Sequence, residues 1–443
     1  MNLIEKGNFY QALEELKNDK NNAVAFIYEN PTNNNEGLLK NAVFTIKQNY
    51  AVDDSVSNAS SKIIESFCPF YNATVIQKLI DNGAQKIAKV HCDELALGGT
   101  GTFSSYGIIK NPIDSERLAG GSSSGSVATF TKNISFALGS DTGDSVRLPA
   151  SYNGVVGFKP SYGAISRYGL YAYSSSLDTV SYFTHNVNDA FIISKVVYGK
   201  DDKDFTSKFI DEKGFQTIEM VKPQSIALLN VKDNLDLTVA KEYDNLLNLL
   251  KKENVQVDLV DVQSDILNII KPVYDIISYS EASSNLANLN GIAFGSRKEG
   301  KNWEETMIKT RSQGFGKMVQ RRLTLGSFFL HSANQKELFL KAQQGRKVIK
   351  NYYESLHNKY DLIVFPASAD VAPFLSKENT KHGYMDYILT GANLVGNPSI
   401  SIPWIKKGQL PINIALESKI YNDANLLKYS LWFENFLKGE KND

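Results

Sequence analysis

A charge-poor block rich in glycine and serine, from Gly98 to about Gly169, constrains this chain more than any other feature. Residues this small let backbone pack against backbone and leave amide N–H groups free to face a ligand. Two clusters stand out in it. One is Ala119-Gly120-Gly121-Ser122-Ser123-Ser124-Gly125-Ser126, and the other is Leu138-Gly139-Ser140-Asp141-Thr142-Gly143-Asp144-Ser145-Val146-Arg147. A flexible or phosphate-binding turn is the commoner use of such a composition, and composition alone does not separate it from a catalytic loop.

The flanking sequence alternates between helix and strand periods. Residues 9–18 read as a short amphipathic helix, followed by an Asn-rich turn at 31–35. Val43 to Ile46 reads as a buried strand ending at Lys47, and Asn72 as the cap of a helix carrying Val75, Ile76, Leu79 and Ile80, ended by Gly83. Ile87 to Val90 reads as the next strand. Residues 199–215 form a charged surface-loop insertion. Beyond it come a strand at 225–231, a helix at 239–253, a strand at 255–262, a long helix around 333–356 and a strand at 361–365. The alternation predicts an α/β protein with one large sheet between helical layers, and residues 1–443 read as a single domain.

Composition removes several classes of function. Forty-eight basic residues balance forty-eight acidic ones, so no overall positive field draws nucleic acid to the chain. Five scattered histidines and two cysteines, with no HExxH, leave no metal site to expect. There is no GxxxxGK[ST] phosphate loop. The segment GGTGTFSSYG (98–107) resembles a dinucleotide loop but lacks its third glycine. Cys68 and Cys92 suit a reducing compartment, the N-terminal residues are too polar for a signal peptide, and no stretch approaches the roughly 20 apolar residues of a membrane span. The expectation is a cytoplasmic protein that does not enter a membrane.

Serine becomes a nucleophile only when a base takes its proton as it attacks. A lysine can be that base when burial holds it neutral, and Lys47 at the end of an apolar strand is placed for that. A second serine can pass the proton, because a hydroxyl both donates and accepts. Backbone N–H groups of a glycine-rich turn before the nucleophile would hold the oxyanion. An isolated lysine is ordinarily solvated, so these residues by themselves leave the solvated reading open.

At these positions the sequence resembles the amidase signature family. The likeness runs through Val43-Phe44-Thr45-Ile46-Lys47-Gln48-Asn49, Asp93-Glu94-Leu95-Ala96-Leu97-Gly98, Asn111-Pro112 and GGSSSGS. It continues through ALGSDTGDSVRLPASYNGVVGFKPSYGAISRYGL (137–170) and SSSLDTV (174–180), so the signature core spans about 43–180. The resemblance implies an α/β/α sandwich around a large mixed sheet of about eleven strands. It implies Ser145 as nucleophile, Ser122 (preceded by a cis peptide bond in the family) as bridge and Lys47 as base. N–H groups across Thr142, Gly143, Asp144 and Ser145 would form the oxyanion hole.

Downstream, Ser280-Glu281-Ala282-Ser283-Ser284-Asn285-Leu286, Gly314-Phe315-Gly316, Arg321-Arg322-Leu323-Thr324-Leu325-Gly326 and Asn393-Leu394-Val395-Gly396-Asn397-Pro398 resemble the family's tRNA-dependent amidotransferase branch. That likeness implies glutamine as substrate, with Tyr274, Arg322 and Asp386 binding it. A guanidinium suits its α-carboxylate and a carboxylate its α-ammonium. It also implies partner subunits B and C in a heterotrimer, with ATP and magnesium on a partner that presents misacylated tRNA, and neither cofactor nor metal in this chain. Taken singly, Arg322 reads as a surface ion pair, Asp386 as a helix cap and Tyr274 as core packing.

The chain departs from the family pattern in places. Asp144 stands where the family has glycine, directly before the expected nucleophile. Ser124 replaces another glycine, Ala119 a proline, Gln48 an aspartate and His91-Cys92 an Asn-Met pair. A stand-alone amidase and a catalytically weakened scaffold subunit stay open beside the leading reading.

Overall fold

Runs of β-branched, aromatic and leucine residues, buried on both faces, make the central strands of the computed structural model, which describes residues 3–32, 36–210, 212–376 and 378–439. The strands are β1 (Val24–Ile27), β2 (Val43–Lys47), β3 (Gln85–Val90), β4 (Phe136–Asp141), β5 (Val156–Lys159), β6 (Thr179–Thr184), β7 (Ser225–Asn230), β8 (Gln256–Asp261), β9 (Leu362–Pro366), β10 (Ser399–Lys407) and β11 (Leu410–Glu417). They form one 11-stranded sheet in the order β1-β3-β2-β4-β6-β5-β10-β11-β9-β7-β8. It is mixed: β3-β2-β4 and β9-β7-β8 are parallel, and the other pairs are antiparallel. The edge strand β8 carries Gln256, Asp258 and Asp261 toward solvent, which discourages further pairing.

Helices pack around the sheet, as the alternation predicts. Thr74–Asp81, Val187–Val197 and Asp423–Gly439 form one group, and Ile270–Asn285, Lys317–Leu330 and Lys341–His357 form another. Their apolar residues join those of the sheet in one large core. Among the described residues no helix is long and apolar enough to cross a membrane.

Several local expectations need correction. Asn72 is not the helix cap; Ala73 holds that position, and the Asn72 side chain instead accepts from Asp53 N at 3.2 Å and donates to Gln77 at 3.1 Å. The helix expected at 239–253 runs over Leu237–Leu250, because Asp236 accepts from Thr238 N and sets its start. The long helix near 333–356 opens with a π-type turn over Lys336–Leu340 and is α-helical over Lys341–His357. Residues 199–210 form the expected surface loop, tied to the body where Asp201 accepts from Thr74 and Ser166, both at 2.6 Å, and Ile210 is buried. Residues 33–35 of the expected Asn-rich turn lie outside the described residues.

Candidate active site

Lys47 closes β2, and Ser140 and Asp141 close β4; the two strands are parallel, with Ile46 opposite Leu138. Stacked rings of Phe44 and Phe136, 5.0 Å apart, fix that register. Both strands therefore end side by side at the carboxyl edge of the sheet, where open α/β sheets place their ligands.

Lys47 is fully buried. Its Nζ lies 2.7 Å from Ser122 Oγ, 3.0 Å from Ser123 Oγ and 2.9 Å from Ser140 Oγ. Burial lowers its pKa to about 8, against the raising influence of Cys92, Asp93, Asp141 and Asp178. Three hydroxyls match three N–H bonds of the ammonium. They equally match two N–H bonds and one lone pair of the amine. Ser123 Oγ spends its hydrogen on Ser140 O, so the lone pair of a neutral Lys47 is left to the hydroxyl of Ser122 or of Ser140, and Ser122, at 2.7 Å, is the nearer.

The Gly121–Ser122 peptide is cis. A Cβ on Gly121 would stand 2.3 Å from Asp93 Oδ2 and 2.8 Å from Thr100 N, so only glycine fits. Asp93 accounts for the loop that resembled a dinucleotide site. Its carboxylate accepts from the N–H groups of Gly99 (2.8 Å), Thr100 (3.1 Å), Gly101 (3.2 Å) and Phe103 (2.9 Å). Those amides are occupied from within and do not wait for a phosphate.

The turn carrying Ser145 is held from behind by a buried ion pair. Arg147 Nη2 lies 3.0 Å from Asp141 Oδ1, and the same guanidinium donates to Gly143 O (2.8 Å), Asn393 Oδ1 (2.6 Å) and Leu389 O (2.7 Å). Burial alone would raise the Asp141 pKa; the charge and hydrogen bonds of Arg147 hold it below the ordinary carboxylate value. Asp141 Oδ2 also accepts from Val146 N at 3.0 Å and Arg147 N at 3.4 Å. Thr142 is fixed by Asp178, 2.7 Å from its hydroxyl. Its backbone N–H, like those of Gly143, Asp144 and Ser145, makes no hydrogen bond among the described residues. These are the free donors an oxyanion hole requires.

Ser145, Gly143 and Asp144 open onto a cavity of about 450 Å³, and Tyr274, Arg322 and Asp386 line the same cavity. The structure thus brings all six of these expected residues to one space. Arg322 is no surface ion pair: its guanidinium donates to Tyr173 Oη at 2.9 Å and Gly98 O at 3.2 Å, and its Nε has no acceptor among the described residues. Asp386 ends a short 3-10 turn, Gly383–Asp386, and is exposed. Tyr274 stands over Gly143, where an added Cβ would come within 3.1 Å of its hydroxyl.

One link is open. Ser123 N reaches Ser145 O at 3.3 Å, but no hydrogen bond joins the Ser122 and Ser145 hydroxyls among the described residues. Catalytic hydrogen bonds are commonly long without substrate and tighten when it binds. Sequence reasoning also passed over Ser123 and Ser140 as partners of Lys47, and over Lys271 and Asp275 in the cavity wall. The serines stand inside the two glycine–serine clusters, but only the strand register shows which of them reach the lysine. Among the described residues no group of histidine, cysteine and carboxylate side chains is arranged to hold a metal ion.

Comparison with known proteins agrees with this geometry. The family described as Amidase matches residues 8–427. A glutamyl-tRNA(Gln) amidotransferase subunit from a Nitratiruptor species is 39% identical over 399 residues, 89% of each chain. The protein of the same name from Sulfurimonas denitrificans is 37% identical, over 95% of this chain and 96% of that one. The crystal structure of its Thermotoga maritima namesake superposes with a TM-score of 0.81 at 30% identity, covering 97% of this chain and 91% of that one.

Proposed function

Because this chain belongs to the amidase family, we propose that its site hydrolyses glutamine and that it is the ammonia-supplying subunit of a tRNA-dependent amidotransferase. The observation that carries the reading is the opening of Ser145, Arg322 and Asp386 onto one cavity, with the buried Lys47–Ser122 pair behind the nucleophile.

Neutral Lys47 takes the Ser122 proton while Ser122 takes that of Ser145, and Ser145 Oγ attacks the side-chain amide carbon of glutamine. N–H groups across Thr142, Gly143, Asp144 and Ser145 receive the oxyanion. Collapse of the tetrahedral adduct breaks the C–N bond; the proton returns from Lys47 through Ser122 to the leaving nitrogen, and ammonia departs. A γ-glutamyl ester remains on Ser145. Water, deprotonated by the same relay, cleaves the ester and releases glutamate. Arg322 holds the α-carboxylate and Asp386 the α-ammonium, with Tyr274 closing the wall between them.

The relatives are subunits, so this chain works within a multi-subunit amidotransferase. Subunits B and C complete a heterotrimer in our reading, and a partner uses ATP and magnesium to activate misacylated Glu-tRNA(Gln) or Asp-tRNA(Asn). This chain, acting as one domain without a cofactor of its own, contributes only ammonia. Unpaired Cys68 and Cys92 suit the cytoplasm as the place of reaction. The test is direct: copurified with its partners, the chain releases ammonia from glutamine, and Ser145→Ala stops it. Full activity in that variant would remove the mechanism.

A further inference from the structure

Asp144 is the one acidic side chain inserted between the oxyanion donors, and nothing in the mechanism above uses its carboxyl. The side chain makes no hydrogen bond to any described residue. It lines the catalytic cavity beside Ser145, and it also lines, with Asp386 and Leu148, an adjoining cavity of about 110 Å³. Asp144 and Asp386 therefore face the same end of the space. The other charged groups facing Asp144 are Asp141 and Arg147 on its own turn, Arg321 and Arg322 across the cavity, and the Lys271–Asp275 ion pair on the helix Ile270–Asn285; the titratable hydroxyls of Tyr152, Tyr274 and Tyr387 also lie close to it.

When ionised, a carboxylate here would oppose the negative charge that develops on the substrate oxygen unless something positive pairs with it. No guanidinium hydrogen-bonds to it: Arg147 is held by Asp141, and Arg322 donates to Tyr173 and Gly98. A substrate ammonium would neutralise it. The reach is right: an extended chain places the α-nitrogen of glutamine about 5 Å from its amide carbon, a span that a side chain one residue from the nucleophile can bridge.

We infer that Asp144 is a specificity-determining residue which, together with Asp386, clamps the α-ammonium of the substrate and so selects amino-acid amides over amides that lack the amine. This rests on the glutamine-hydrolysis reading and assigns it an additional contact. An amide without the amine leaves the carboxylate bare beside the oxyanion hole and is penalised twice, in binding and in acylation. Burial first, then the neighbouring Asp141, pushes the Asp144 pKa up to about 7, so the clamp strengthens as pH rises through that value.

The experiment compares glutamine with glutaramic acid, its analogue lacking the α-amine, using the copurified complex carrying wild-type, Asp144→Gly or Asp144→Asn chain. The expected result is that both substitutions lower the ratio of kcat/KM for glutamine over glutaramic acid by about tenfold or more, as for loss of a charged hydrogen bond. The KM for glutamine should fall with rising pH near 7 in wild type and stay flat in both variants. The asparagine variant preserves volume, so agreement between the two excludes a packing artefact. A wild-type complex that hydrolyses glutamine, with a ratio unchanged in both variants, would overturn this inference alone. A wild-type complex that hydrolyses neither compound would overturn the underlying reading and the inference with it.

Discussion

Lys47 Nζ and Ser122 Oγ stand 2.7 Å apart in a buried pocket, on two segments separated by 75 residues of sequence. The pair exists because parallel β2 and β4 end together and because Gly121 lets the serine loop lie against Asp93. Its chemistry depends on the lysine losing its proton.

The kcat for glutamine should therefore rise with pH through about 8 and level off above it, since the unprotonated amine is the base and burial sets its pKa there. Lys47→Arg keeps a cation that does not deprotonate, and should lower kcat by at least about 100-fold across that range. Steady-state ammonia release against pH, at saturating glutamine, checks both.

Arg322 should act on binding rather than on turnover. Arg322→Ala is expected to raise KM for glutamine by roughly 10–100-fold, the loss of a charge-assisted contact to the α-carboxylate. Arg322→Lys should recover little, because a point charge cannot hold Tyr173, Gly98 and substrate at once. An unchanged KM in both variants would place the carboxylate elsewhere.

The fold was largely legible from alternation: the strands at 43–47, 225–230 and 256–261 and the helix at 9–17 lie within a few residues of expectation. The site was legible because its residues cluster in short motifs. What sequence did not disclose was tertiary. Asn393 from a distant motif grips the Arg147 guanidinium; Glu281 accepts from Ser174 at 2.6 Å, and Gly316 N donates to Glu94 at 2.8 Å. These downstream residues clamp the catalytic block, a role visible only once the helices are docked. Asn72 misled because its Asx-type side chain found a partner in Asp53 instead of the helix start.

The ion pair behind the nucleophile should be costly to break on one side. Arg147→Met leaves Asp141 charged, buried and unpaired, and is expected to destabilise the chain by about 3–5 kcal/mol in denaturant unfolding. Asp141→Asn should cost less stability but still lower kcat, because the neutral amide oxygen accepts more weakly from the amides of Val146 and Arg147 that set the turn.

Gly121→Ala tests the close approach that delivers Ser122. The added methyl meets Asp93 Oδ2 at 2.3 Å and Gly101 N at 2.9 Å, so the loop must move. The expected outcome is a loss of about 1–3 kcal/mol in stability with kcat reduced out of proportion to it. Circular dichroism and ammonia release on the same preparation separate the two effects.

Glutamine turnover should pass through an ester on the hydroxyl at position 145. Acid-quenching the working complex and mapping its peptides by mass spectrometry reads this directly. The expected result is a glutamyl group on the peptide containing Ser145 that disappears in Ser145→Ala and accumulates when water attack is slowed. Continued ammonia release with no adduct on that peptide, or an adduct on another side chain, would contradict it.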